Sequence, residues 1–131
     1  MMHHLTIVAQ NRSGLLVELS ALLAANGINI ADIEGKAHGA DAIIQIDVDR
    51  HEDALRVLTE EQFHVVADDS VLVRIPDQPG ELANITKRLA DAKVDISAIR
   101  VVQRHANFSV VSVNCDKNDA ARELLKDVLL R

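Results

Sequence analysis

The chain is a tandem repeat, and this restricts its folding more than any other property of the sequence. Asn11-Arg12-Ser13-Gly14-Leu15-Leu16 is answered 66 positions later (Gly80 minus Gly14) by Asp77-Gln78-Pro79-Gly80-Glu81-Leu82. At the same offset Leu23 recurs as Leu89, Ala24 as Ala90, Ile30 as Ile96 and Ile33 as Ile99. Further on, Asp53, Ala54, Arg56 and Leu58 recur as Asp119, Ala120, Arg122 and Leu124. Matches spread along the whole length indicate a duplicated unit. Asp68-Asp69-Ser70 has no linker composition, so domains 1–68 and 69–131 follow one another directly. Units of about 65 residues are marginal alone, and the two are expected to share a sheet or an interface.

Within each unit the apolar period changes in a fixed order. Leu5, Ile7 and Ala9 alternate with Thr6, Val8 and Gln10, which predicts a strand. Leu15, Leu16, Leu19, Leu22 and Leu23 then fall on one helical stripe, which Gly27 ends. Strands follow at Ile28 to Lys36 and Ala42 to Val48, joined by a connection at Gly35 to Asp41. The second of these strands has a face of Gln45, Asp47 and Asp49 that should be wet. A helix with Ala54, Leu55 and Leu58 inward and a strand at Phe63 to Ala67 complete the unit. The second unit repeats this with strands at Val71 to Ile75, Val94 to Arg104 and Phe108 to Cys115, and a helix from Pro79 to Ala92.

The order strand, helix, strand, strand, helix, strand predicts an α+β fold. It has two ferredoxin-like βαββαβ units, each with an antiparallel sheet and both helices on one face. After Leu125 little chain remains for a last strand. Either Val128 to Leu130 makes a stub, or the second unit lacks that strand and leaves an open edge that favours self-association.

Charge and composition remove several functions. Residues 1–68 hold 4 Lys+Arg against 11 Asp+Glu, a net −7, and residues 69–131 hold 10 against 9, a net +1. Neither half has a basic footprint for nucleic acid or anionic membrane. Phe63 and Phe108 are the only aromatic residues of the Phe, Tyr and Trp class, too few to stack RNA bases. Cys115 is the single cysteine, which excludes an internal disulfide and suits a cytoplasmic protein. No apolar run approaches a membrane span, and no secretory leader is evident.

Catalytic, metal and cofactor chemistry find little support. Cys115 reads as a small core residue, and His38, His51, His64 and His105 lack metal-ligand spacing, as do His3 and His4. Asp47 and Asp49 read as solvated carboxylates. Asn11-Arg12 faintly permits an acyl-phosphate cradle, but the second turn has no arginine. No catalytic residue, metal ligand or cofactor is assigned.

The turns after the first strand of each unit are the best candidates for binding. A turn that feeds a helix offers backbone N–H groups and the positive end of the dipole to an anion such as a carboxylate. Gly14 and Gly80 permit unusual dihedrals, Pro79 fixes φ near the helix start, and Asn11 and Asp77 can cap the helix or meet an ammonium group. The same residues also serve a plain turn and cap.

Asp77-Gln78-Pro79-Gly80-Glu81-Leu82 with Leu89-Ala90 and Val94-Asp95-Ile96 resembles the pattern of the ACT domain, a regulatory amino-acid-binding module. Asn11-Arg12-Ser13-Gly14-Leu15-Leu16 through Gly27-Ile28-Asn29-Ile30 resembles it too, with Ser13 where proline is commoner. The resemblance implies pairing of units, commonly side by side into an eight-stranded sheet, with a small ligand at the seam. By position it implies ligand contacts from Asn11, Arg12, Ser13, Gly14, Leu15, Asn29 and Ile30, and from Asp77, Pro79, Gly80, Glu81, Asp95 and Ile96. Glu81 replaces the apolar Leu15 and disfavours a carboxylate. The first turn, with Arg12 and no local acid, is therefore the preferred site.

Without a catalytic domain in the chain, the resemblance implies a non-enzymatic regulatory protein. It would bind a small molecule, an amino acid, form a homodimer or higher homo-oligomer, and act on an enzyme or regulator in trans, with no nucleic acid or membrane partner. The alternative is a protein–protein interaction module that uses no small ligand.

Overall fold

A computed structural model describes residues 2–130, so Met1 and Arg131, the outer ends of the two expected domains, lie outside the described residues. The backbone divides into two compact units, Met1–Asp68 and Asp69–Arg131. The first runs β1 (His3–Gln10), α1 (Leu15–Ala25), β2 (Ile30–His38), β3 (Asp41–Val48), α2 (His51–Glu60) and β4 (His64–Val66). Its sheet is antiparallel in the order β2-β3-β1-β4. Leu5, Ile7, Ile44, Ile46 and Val48 from the strands meet Leu15, Leu19, Leu23, Ala54, Val57 and Leu58 from both helices in one buried cluster. Both helices therefore cover the same face, as the ferredoxin-like pattern requires.

The second unit runs β5 (Val71–Pro76), α3 (Glu81–Asp91), β6 (Ile96–Arg104), β7 (Phe108–Cys115) and α4 (Asn118–Leu124), with sheet order β5-β7-β6. Its last strand is the stub. Val73 bridges Leu129, Arg74 N donates to Val128 O at 2.8 Å, and Leu130 N donates to Leu72 O at 2.8 Å. Arg88 on α3 fastens the approach to this stub, donating to Leu124 O and to Asp127 Oδ1, the latter at 2.7 Å. This contact raises the Arg88 pKa and lowers that of Asp127. The open edge on which self-association was argued is thus partly filled by the chain itself.

Several sequence expectations need correction. The hairpin between β2 and β3 is a two-residue turn at Gly39-Ala40, because His38 still pairs with Asp41; Gly35 lies inside the strand, opposite Ile44. The helix of the second unit begins at Glu81, not Pro79, because Gly80 takes a left-handed conformation that a helix interior excludes. Leu16 and Leu55 are exposed, and Val57 takes the inward place expected of Leu55. The outer face of β3 is not wet along its length. Ile43 is buried, Asp47 Oδ1 hydrogen-bonds His4 Nδ1 at 2.7 Å, and Asp49 Oδ1 accepts from Asn29 N at 3.0 Å. Asp49 is exposed and Asp47 half-buried, so the two aspartates are solvated as expected but are also tethered.

The repeat offset also changes partway along. The row Ile7–Ile44–Gly35 of the first sheet corresponds to Val73–Val111–Val101 of the second, so β3 and β7 are 67 residues apart while β1 and β5 are 66 apart. The extra residue is Val102, a bulge between Val101 and Gln103 in β6. Ala54 and Leu58 thus correspond to the fully buried Ala121 and Leu125, not to Ala120 and Leu124. No helix among the described residues is long and apolar enough to cross a membrane.

Candidate functional site

The first turn is pinned from both sides before the helix begins. Asn11 N donates to Ala40 O at 2.9 Å, and Asn11 Nδ2 donates to Gly39 O at 3.1 Å, tying the end of β1 to the β2–β3 hairpin. The chain then reverses through Gly14, the N-cap of α1, at φ +80°. A Cβ at Gly14 would meet nothing within 4 Å, so the dihedral, and not crowding, requires glycine there; Gly80, at φ +92°, is the same. Neither N-cap makes a side-chain hydrogen bond. The expected capping by Asn11 and Asp77 therefore does not occur. Asn11 is spent on the hairpin, and Asp77 Oδ1 lies 3.8 Å from Arg104 Nη1.

The first intrahelical bond runs from Glu18 N to Gly14 O, which leaves the N–H groups of Leu15, Leu16 and Val17 ahead of the helical ladder. In front of them is a cavity of about 360 Å³ lined by Asn11, Arg12, Gly14, Leu15, Leu16, Val17, Gly35, Lys36, Ala37, Ala42 and Ile44. Its floor is formed by the small residues Ala42 and Ala37, next to Gly35, in a strand row that Ala9 continues behind them. Leu16 leans over Gly35, its Cδ2 3.5 Å from where a Cβ would stand, an ordinary contact distance, so a side chain longer than one carbon is what this position would bring into the cavity. The exposed Leu16 is thus part of the cavity wall and not of the core.

The charge at this turn is not as the sequence suggested. Arg12 forms an ion pair with Glu18 in the first turn of α1, so a local acid is present. The contact raises the arginine pKa and lowers that of the glutamate. Lys36 also borders the cavity, but it stands between Gly35 and Ala37 in β2, and strand alternation turns its side chain to the face away from α1.

The second turn is built alike but walled differently. Its cavity, about 190 Å³, is bounded by Ile75, Pro76, Asp77, Gln78, Pro79, Gly80, Glu81, Leu82, Val101, Arg104, Ser109 and Val111. Asn11, Arg12, Gly14 and Leu15 thus stand together at one cavity, and Asp77, Pro79, Gly80 and Glu81 at the other; Ser13 is exposed beside the first and does not line it.

Asn29 and Ile30 stand elsewhere. Ile30 pairs with Val48 at the far end of β2, seven residues from Ala37, or about 23 Å along the strand. Ile96 holds the same place opposite Cys115. Asn29 N and Asp95 N are taken by Asp49 Oδ1 at 3.0 Å and Asp116 Oδ1 at 2.9 Å. The structure does not bring these four residues to the turn of their own unit.

Sequence reasoning missed Gly35, Lys36, Ala37, Ala42 and Ile44 in the first cavity, and Val101, Arg104, Ser109 and Val111 in the second. The available signal was Gly35, since a glycine inside a strand pattern marks a close approach. Among the described residues no group of three or more His, Cys, Asp or Glu is placed to hold a metal ion. Cys115, half-buried against the second core, has Sγ 3.1 Å from Asn118 Oδ1. His105 stacks on Phe108 at 4.4 Å, and the Arg74 guanidinium covers that ring at 3.6 Å.

The sequence model of the ACT domain matches residues 3–62 and again 70–130. Comparison with curated proteins gives no match. Among solved structures, the chain resembles a protein from Bacteroides thetaiotaomicron at 27% identity, covering 97% of this chain and 90% of that one with a TM-score of 0.48. It resembles the ligand-free regulatory subunit of aspartate kinase from Thermus thermophilus at 16% identity, covering 98% and 95% with a TM-score of 0.41. The acetolactate synthase small subunit from Thermotoga maritima is similar at 11% identity, covering 100% and 91% with a TM-score of 0.42.

Proposed function

The chain belongs to the ACT domain family, and from that premise we propose that it is a non-catalytic regulatory protein that senses an amino acid and transmits its presence to a partner. The observation that carries this reading is the cavity at the first turn. Free N–H groups at the start of α1, at the positive end of its dipole, suit a carboxylate. The small-residue floor and the flanks of Leu16 and Ile44 suit an apolar side chain. Asn11, Arg12, Gly14 and Leu15 are the contacts we assign, with Ser13 at the rim.

The residues at the far ends of the sheets, Asn29 and Ile30 with Asp95 and Ile96, would join such a site only from a facing unit. We accordingly propose that ligand binding is completed by pairing of units, in a homodimer or higher homo-oligomer. A ligand that favours one assembly over another shifts their balance by its difference in affinity, and an enzyme or regulator in trans reads that shift. A cytoplasmic setting fits this role.

Thermal unfolding in the presence of each of the twenty amino acids tests the proposal. At a hundred times its Kd, a ligand specific for the folded form adds about 2.7 kcal/mol of stability, enough to move the midpoint by roughly 10 °C. Gly35→Val should remove the shift, because the new side chain occupies the cavity beneath Leu16. Flat midpoints with all twenty, together with silent calorimetry, would sink the proposal.

One observation favours a second reading. Leu16 and Val17, 40% and 71% exposed, form an apolar step at the start of α1 that a protein partner can cover without any small ligand. Capture of a partner that Val17→Lys abolishes and amino acids leave unchanged would support this interaction module over the sensor.

A further inference from the structure

The two cavities occupy equivalent places, yet their walls differ at each position that decides what fits. In the first, the row beneath the turn is Ala9, Ala42 and Ala37; in the second, the same row is Ile75, Ser109 and Arg104. One row further in, Gly35 is replaced by Val101, and at the mouth Leu15 is replaced by Glu81. The larger side chains accompany the smaller volume, about 190 Å³ against about 360 Å³.

Ser109 is the residue among these that calls for a ligand. It is 2% exposed, and its Oγ has no hydrogen-bond partner among the described residues. A buried hydroxyl left unpaired is unfavourable and uncommon, and such a group warrants a specific reason. Ser109 lies in the strand row between Ile75 and Arg104, on the helix-covered face with Val111, and forms part of the cavity wall. The hydroxyl is itself buried as it stands, and a change of rotamer about Cα–Cβ is what a ligand would have to induce to reach it.

The remaining groups fit the two ends of a zwitterion. The N–H groups of Leu82 and Ala83 precede the first intrahelical bond, made by Asn84 N to Gly80 O at 2.9 Å, and suit a carboxylate; Arg104 stands beside them with Asp77 3.8 Å away. Glu81, which has no such cation facing it among the described residues, suits an ammonium.

We infer that the second cavity is a site of different specificity from the first: it takes an amino acid whose short side chain ends in a hydrogen-bonding group, and Ser109 is its specificity-determining residue. The inference rests on the reading that these turns bind amino acids. It adds that the duplicated sites report two classes of ligand and not two copies of one. A site that uses a buried hydroxyl discriminates strongly, because an apolar isostere leaves that hydroxyl unpaired.

Calorimetric titration of the full chain with three near-isosteric pairs tests this: L-serine against L-alanine, L-threonine against L-valine, and L-asparagine against L-leucine. We expect the polar member of at least one pair to bind at least tenfold more tightly than its apolar partner. Ser109→Ala should erase that preference, bringing the two members of the pair to within a factor of about two of each other. Ser109→Ala protein that melts no lower than the parent excludes misfolding as the cause. Binding of apolar members alone, or a polar preference that survives Ser109→Ala, overturns the second site and leaves the first intact. Silence of all six would overturn this site and count against the underlying reading as well.

Discussion

The unpaired hydroxyl of Ser109 makes a prediction of unusual sign, because the same substitution at two serines of one unit should act in opposite directions. Ser70 Oγ donates to Asn114 Oδ1 at 2.5 Å, and Ser70 is fully buried. Ser70→Ala deletes a made hydrogen bond and strands its acceptor, a loss of about 1 kcal/mol. Ser109→Ala instead deletes a donor and acceptor that meet no partner. Burial of such a hydroxyl costs about 1–3 kcal/mol by mutational measures. The gap left by one oxygen is smaller than a methyl group and returns less than about 1 kcal/mol of that. The net expectation for the ligand-free protein is a gain of about 1 kcal/mol, or about 4–8 °C in the midpoint of a unit of this size. Urea unfolding of the three proteins, with slopes compared to verify that the unfolded states are alike, reads both values directly. If Ser109→Ala loses stability as Ser70→Ala does, the hydroxyl is paired in solution and the reasoning about its orphaned state is refuted.

Other outcomes can be stated more briefly. Arg88→Met should speed amide exchange at Arg74 and Leu130, whose hydrogen bonds hold the stub, while leaving the protection of β1 and β3 unchanged; uniform loss across both units would contradict a local fastening. Because Arg88 lowers the Asp127 pKa, the stability this pair adds is fully present above the ordinary aspartate value of about 3.9 and is lost as pH falls through the lower folded-state value. Melting curves between pH 2 and 6 (roughly the carboxylate range) should therefore show a shallower acid limb for Asp127→Asn. Gly27 and Lys93 hold the same left-handed position after α1 and α3, at φ +71° and +60°. Gly27→Ala should cost about 1 kcal/mol, and Lys93→Gly should gain a smaller amount in chemical denaturation; a gain from the first would show the dihedral to be relaxed.

The repeat, the order of elements and the position of both turns are legible in the sequence because they depend on periodicity and on where glycine interrupts it. The site walls were legible only in part. Asn11 to Leu15 and Asp77 to Glu81 are contiguous, but the floor comes from β2 and β3, whose register no single strand announces. Gly35 reads as the start of a hairpin because a glycine in a strand and a glycine in a turn look alike without the pairing partner. Arg12 reads as a turn residue with no local acid, although Glu18, six residues on in the first turn of α1, is within its reach. Leu16 fits the helical stripe by spacing yet serves the cavity. The shift of offset at Val102 left no trace in composition, since a valine in a strand is ordinary whether it pairs or bulges.

That bulge says how the two halves could come to differ in length without losing their shape. β6 is an edge strand, hydrogen-bonded to β7 on one side only. An inserted residue there interrupts a single ladder, and the strand can resume pairing within two positions, as Gln103 does with Val110. The same insertion in β7, paired on both flanks, would break two ladders and turn its inward residues outward. Edge strands are therefore where a duplicated domain of this kind can absorb a one-codon insertion. The hairpin beyond Val102 is displaced by one residue from its counterpart, and it carries Ser109 to the place that Ala42 holds in the first unit.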